Sequence, residues 1–261
     1  MKQKMAAIIR KDLRGITANK NLFLSLLIVP LVFTVVFPSI LVCAIHFMPG
    51  DPDVQKMMDL LPTAMRSGNM ERDMMRMMLN YILPVFFLII PVMSASIMSA
   101  SSFVGEKEKH TLETLLYCPL SVRQIFCAKV MASFLLSISV SLLSFLAMIL
   151  VIETETLFLF KSFLLPGISW LVILFMIAPS ISLVAITLIV RGSAKAQSVE
   201  EAQQSAVFLV LPLILLSAGQ LMGVLLVNVW ILLGLGGVCV LAAVFLLKKS
   251  MGRFTYEMLL K

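Results

Sequence analysis

The sequence predicts an all-α integral membrane protein with six membrane-spanning helices. An N-terminal amphipathic helix lies in the interface, and a short helix occupies a cytoplasmic loop. Composition carries the class. Of 261 residues, 60% are hydrophobic and only 13% charged, against roughly 25% charged in an ordinary soluble domain. Mean hydropathy is +1.03, more apolar surface than a water-soluble globule can hide. Five long stretches free of Asp, Glu, Lys and Arg, the last of double length, give the number of helices. Soluble enzymes, disordered chains and disulfide-stapled secreted domains are excluded.

Residues 1–20 read as the interfacial helix. Met5, Ile8, Ile9, Leu13 and Ile16 recur at helical spacing, and Lys2, Lys4, Arg10, Lys11 and Arg14 fill the other face. The uncharged stretches are Asn21–Gly50, Met77–Gly105, Val130–Ile152, Ser162–Val190 and Ala202–Leu247, of 30, 29, 23, 29 and 46 residues. A hydrocarbon core about 30 Å thick needs ~20 apolar helical residues. The first four are therefore one span each. The fifth is two helices, with Ser217-Ala218-Gly219-Gln220 and further glycines marking a turn near residues 220–228. The expected spans are residues 22–48, 79–104, 130–152, 162–190, 206–226 and 228–247, in one domain covering 1–261. The first apolar run is too long for a signal-peptide core and no small-residue cleavage site follows it, so no leader is expected to be removed.

Charge sets the orientation. Sixteen of the 21 Lys and Arg residues fall in the N-terminal tail, the 105–129 loop, the 191–201 loop and the C-terminal tail. The other face holds Lys56, Arg66, Arg72, Arg76 and Lys161. The positive-inside rule places both termini in the cytoplasm of a plasma (cytoplasmic) membrane protein. The net charge of +7 is thus a topology signal that also suits anionic lipid heads, not a nucleic-acid site.

The residues between the spans add little chemistry. Residues 49–78 are rich in methionine. Thioethers bind copper(I), but Met58, Leu61 and Met65, then Met70, Met74 and Met77, follow helical spacing and read as apolar packing. Cys43, Cys118, Cys127 and Cys239 have no metal-ligand spacing. Within the spans no charge sits in the central turns, which argues against a proton-coupled pump. Ser133, Ser137, Ser141 and Ser144 share one helical face, as do Ala95, Ser99 and Ser102. Close helix packing explains both faces better than a polar substrate path. Pro30, Pro38, Pro84, Pro91, Pro179 and Pro212 are candidate kinks.

The loop after the second span is the informative one. Leu112, Leu115 and Leu116 form one stripe of a short helix, with Thr111 as N-cap and Pro119 as terminator. Ser121 and Gln124 fit a capping box that opens the third span. Glu106, Lys107, Glu108, Lys109 and Glu113 flank the stripe. An apolar stripe ringed by both signs of charge suits docking to a protein. A helix lying on lipid headgroups is the alternative.

The run Gly105-Glu-Lys-Glu-Lys-His-Thr-Leu-Glu-Thr-Leu-Leu-Tyr-Cys-Pro-Leu-Ser-Val-Arg-Gln-Ile-Phe-Cys-Ala-Lys129 closely resembles the signature of ABC type-2 transporter permeases. Ser198-Val-Glu-Glu-Ala-Gln-Gln204 before an apolar run with Pro212 is similar to the sodium- and drug-export branch. The resemblance implies an elbow helix at the N-terminus and a coupling helix in the first cytoplasmic loop. It further implies a second permease chain, identical or different, and a separate ATPase subunit that carries MgATP. Substrate would leave the cytoplasm. Residues implied to meet the ATPase are Glu106, Glu108, Thr111, Leu112, Glu113, Leu115, Leu116 and Pro119, with Glu200, Glu201 and Gln204 in a second coupling loop. No G-x-x-x-x-G-K-[ST] phosphate loop occurs, so the chain is expected to be a transport subunit and not an enzyme, without cofactor or metal of its own.

Two rivals are weaker. An intramembrane protease has only Glu200-Glu201 in its favour. The arginine expected four residues after Glu201 is absent, and His46 and His110 fall on opposite faces. A secondary transporter or channel needs a coupling-ion site, and only proline kinks speak for one.

Overall fold

The protein is described by a computed structural model covering residues 2–47, 70–108, 121–161, 163–193, 196–204, 206–222 and 228–253. The described residues form helices and no strand. Helix α1 is Lys2–Ala18. Six stretches are long and apolar enough to span a membrane. They are α2 (Leu22–Phe47), α3 (Glu71–Glu108), α4 (Val122–Phe160), α5 (Ile168–Gly192), the Val199–Leu221 stretch and the helix from Val229. The fifth stretch consists of α6 (Val199–Gln204) and α7 (Val207–Leu221); the last helix is α8 (Val229–Arg253). The six-helix fold is therefore as the composition predicts.

The helices overrun the uncharged stretches. Helix α3 begins near residue 71 rather than 79 and runs through the first four positions of the expected 105–129 loop. Helix α4 begins at Val122 and ends at Phe160 rather than spanning 130–152. At 1.5 Å per residue its 39 residues reach about 58 Å, well beyond a hydrocarbon core. Lack of charge marks the embedded part of a helix, whereas its ends follow caps. Ser121 caps α4 by accepting from the Gln124 N–H, while the Gln124 side chain accepts from the Ser121 N–H at 3.1 Å, completing the expected capping box. Lys161 closes α4 in the left-handed region at φ 49°. The fourth span starts at Ile168 rather than 162, because Pro166 disfavours helix before it and Gly167 takes the N-cap.

Helix α3 is the centre of the bundle, with α5 next; the remaining spans keep most of their surface exposed. Phe87, Phe145 and Trp170 join α3, α4 and α5, with Trp170 5.4 Å from Phe87 and 5.1 Å from Phe145 between ring centroids. Met74, Met75 and Met78 belong to the same core, so this part of the methionine run packs against apolar neighbours. The expected serine face of α4 is buried at Ser133, Ser137, Ser141 and Ser144. Most serines satisfy their hydroxyls within their own helix, as Ser99 does on the Ala95 carbonyl and Ser133 on that of Lys129. Ser137 instead reaches across. It donates to the Pro91 carbonyl at 2.9 Å and lies 2.9 Å from Ser182 Oγ, and Ser94 Oγ is 3.2 Å away. One hydroxyl thus links α3, α4 and α5 where no hydrophobic force holds helices together.

Three of the six candidate kinks are π-turns of common design. They occupy Val32–Val36, Met78–Ile82 and Ile173–Ile177, and each ends two residues before a proline: Pro38, Pro84 and Pro179. A proline has no N–H, and its ring crowds the carbonyl four residues back. That carbonyl belongs to Thr34, Asn80 or Phe175, the middle residue of the π-turn in every case. The residue before each proline donates five back instead of four: Phe37 to Val32, Leu83 to Met78, Ala178 to Ile173. The turn widens and two carbonyls of the second π-turn take side-chain donors from other spans. Trp170 Nε1 donates to Leu79 at 2.9 Å and Gln220 Nε2 to Tyr81 at 3.0 Å. Pro30, Pro91 and Pro212 lie within α-helical segments.

Candidate functional site

The ends of α3 and α4 that bracket the first loop sit on the same face as α1 and the end of α8. Ile8 of α1 packs on Ile125 and Ala128 of α4. Ile16 packs on Met98 of α3 and Ala132 of α4. Cys127 Sγ of α4 lies 4.0 Å from Met251 Sδ of α8. The expected apolar stripe of α1 therefore faces the bundle, with Arg10 and Arg14 exposed.

Midway between those apolar seats, α1 presents two charges to the base of the loop. Lys11 Nζ donates to Glu106 Oε1 at 2.6 Å. Asp12 Oδ2 accepts from the Ser102 hydroxyl at 2.6 Å. Lys129 of α4, 2% exposed, lies between them. It donates to the Ser102 carbonyl, forms an ion pair with Glu106 Oε2 at 2.7 Å, and stands 3.8 Å from Asp12 Oδ2. The Phe103 ring lies 5.4 Å from its Nζ. Burial pushes the Asp12 carboxyl above the ordinary carboxylate range. Lys129 and the Ser102 hydroxyl pull it back, and Glu106 adds to the rise. A cavity of about 230 Å³ opens between α1 and α3, lined by Lys11, Asp12, Gly15, Ser102 and Glu106 among others.

Two residues past Glu106, α3 meets the second loop. Glu108 Oε2 accepts from the Val199 N–H at 3.4 Å, at the first turn of α6. Helix α6 caps itself through Ser198, whose hydroxyl accepts from the Glu201 N–H at 3.2 Å, while Glu201 Oε2 accepts from the Gln197 N–H at 2.7 Å. Val199 and Ala202 face the bundle beside Ala100 and Val104. Glu200, Glu201 and Gln204 are exposed. The last turn of α3 thereby touches α1, α4 and α6 at once.

A family model for ABC-2 family transporter proteins matches residues 6–249. The chain belongs to that family. No curated protein and no solved structure matches it. An ABC-2 chain is the membrane subunit of an ABC transporter and not itself a catalytic ATPase, and family members work with a separate ATPase.

Against this family background the sequence-predicted site residues divide into three groups. Glu106 is 7% exposed and turned inward, so its carboxylate is engaged by lysines. Glu108, Glu200, Glu201 and Gln204 are exposed on the loop-bearing face. Thr111, Leu112, Glu113, Leu115, Leu116 and Pro119 lie outside the described residues, as does His110. Sequence reasoning missed Asp12, Lys129 and Ser102 as a unit. The signal was present: Asp12 falls four residues from both Ile8 and Ile16, on the buried stripe, and Lys129 lies four residues before Ser133 on the buried face of α4. A charge in phase with a buried stripe must find partners.

Proposed function

We propose that this chain is the membrane-spanning permease subunit of an ATP-driven ABC exporter. Two such chains, identical or different, assemble in the cytoplasmic membrane with both termini in the cytoplasm. A separate ATPase subunit binds MgATP and docks on the first loop through Thr111, Leu112, Glu113, Leu115, Leu116 and Pro119. The exposed Glu108, Glu200, Glu201 and Gln204 supply a second contact. The single observation that carries this reading is the family match across residues 6–249. The shared face of the two loops agrees with it, because α3 and α6 meet through Glu108 and Val199. Docking does work only if the loop binds the two nucleotide states of the ATPase differently. The loop then moves, and the bundle reorients to expel substrate.

The test is a mild-detergent pull-down of the tagged chain from its native membrane, with partner identification and MgATP hydrolysis. A co-purifying ATPase that is lost in Glu113→Lys, with membrane insertion intact, is the expected result. A chain that comes down alone, folded and without ATPase activity, overturns it in favour of a secondary transporter.

A further inference from the structure

We propose that Lys11, Asp12, Glu106 and Lys129 form a charge clamp that makes α1 move as one body with the base of the first loop. On this view α1 is a working lever of energy coupling, with Asp12 and Lys129 as positioning residues. The inference rests on the ATPase-docking reading above.

The four groups alternate in sign around a square that is buried at Asp12, Glu106 and Lys129 and open to solvent at Lys11. Lys11 and Asp12 come from α1, Glu106 from α3 and Lys129 from α4. Each helix pair that matters to the loop is joined: α1 to α3 by Lys11–Glu106 and Asp12–Ser102, α3 to α4 by Glu106–Lys129. Glu106 stands near the end of the helix that enters the loop, and Lys129 eight residues after the Ser121 cap of the helix that leaves it.

Adhesion alone does not require this arrangement. The apolar seats at Ile8 and Ile16 already hold α1 on either side of the square, and a buried ion pair is often no more stable than apolar packing of the same shape. What alternating charges add is register. A slide of α1 by one residue brings a carboxylate against Glu106 or leaves Lys129 facing the wrong sign. Apolar seats tolerate such a slide, whereas the square does not. A displacement of the loop base is therefore passed to α1 instead of being absorbed by slippage. The four groups together also add no net charge, since Lys11 and Asp12 balance each other as Glu106 and Lys129 do.

The test exchanges two neighbouring residues. Lys11→Asp with Asp12→Lys keeps composition and net charge but sets like charges against Glu106 and Lys129. The protein is the permease with its co-purified ATPase in nanodiscs, with the four native cysteines replaced by serine. Spin labels at Ala7 and Arg123, both exposed, report the α1–α4 distance. A second pair at Arg123 and the exposed Val238 reports the rest of the bundle. In the parent chain the Ala7–Arg123 distance should stay constant between nucleotide-free and MgATP states while the Arg123–Val238 distance shifts. In the exchanged variant the Ala7–Arg123 distribution should broaden, while the Arg123–Val238 distance without nucleotide stays at its parent value. Lys11→Arg alone, which keeps the charge, should retain the parent pattern. An Ala7–Arg123 distance that changes with nucleotide in the parent, or an exchanged variant that matches the parent, overturns the clamp. Absence of any co-purifying ATPase instead overturns the docking reading, and with it the clamp's coupling role.

Discussion

Gln220 Nε2 donates to the Tyr81 carbonyl at 3.0 Å, tying the last turn of α7 to the π-turn of α3. Gln220 is fully buried. The carbonyl belongs to the π-turn that precedes Pro84. Gln220→Leu keeps the volume but removes this bond between spans, and a typical hydrogen bond contributes about 0.5–1.5 kcal/mol. The expected outcome is a lowered Tm of the purified protein in detergent. Pairing Gln220→Leu with Pro84→Ala should give less than the sum of the two effects, because both act on the same turn.

Gly167 explains why the fourth span starts where it does. Its N–H donates to Asn80 Oδ1 at 2.6 Å, and a Cβ added there would lie 2.5 Å from that oxygen. The requirement is close approach, since Gly167 has an extended backbone with φ −79°. Gly167→Ala should destabilise by about 1–3 kcal/mol, the usual range for an overpacked site. Asn80→Ala removes the clashing atoms, so the double variant should be more stable than the two single losses predict. Thermal melts of the four proteins in one detergent decide the point.

Much of the architecture was legible in the sequence because the bilayer imposes simple rules. Uncharged length gave the six spans, and Ser121 with Gln124 gave the start of α4. The ends of α3 and the fourth span were misplaced because charge marks where a helix is embedded, not where it stops. Glu106 and Lys129 both lie inside helices, paired with each other at 2.7 Å. The proline kinks are legible as positions, but not that Pro38, Pro84 and Pro179 follow π-turns while Pro30, Pro91 and Pro212 lie within α-helical segments. The site was half legible. Glu106 stands out for its motif, yet its partner Lys11 lies 95 residues away and only the fold brings them together.

The exposed acidic face of α6 depends on a short helix holding its shape. Ser198 and Glu201 cap it reciprocally across the Gln197–Glu201 segment. Ser198→Ala removes an N-cap acceptor, a change typically worth ~1 kcal/mol. The expected effect is local: faster amide hydrogen exchange at residues 199–204, with exchange in α3 and α5 unchanged. Slowed or unaltered exchange there would show that contacts of Val199 and Ala202, not the cap, hold α6.

The raised pKa of Asp12 makes the seating of α1 sensitive to pH, and the sign follows from linkage. Burial makes the docked carboxyl hold its proton more tightly than the free one does. The docked state therefore binds more protons across the window between the ordinary value and the raised one, and α1 docking weakens as pH rises through that window. Above the raised value the penalty on the ionised carboxylate is constant. The groups that face Asp12 are Lys129, Glu106, Lys11 and the Ser102 hydroxyl. Asp12→Asn keeps a side-chain acceptor for Ser102 and removes the titrating group, so the variant should lose the pH dependence while α1 stays seated through Lys11 and its apolar stripe. Hydrogen exchange of residues 5–16, corrected for intrinsic rates, measures this. The parent should show stronger protection as pH falls from neutral toward the ordinary carboxylate range, and Asp12→Asn a flat profile. A parent whose α1 loosens on acidification would mean that the ion pair to Lys129 outweighs the burial of Asp12.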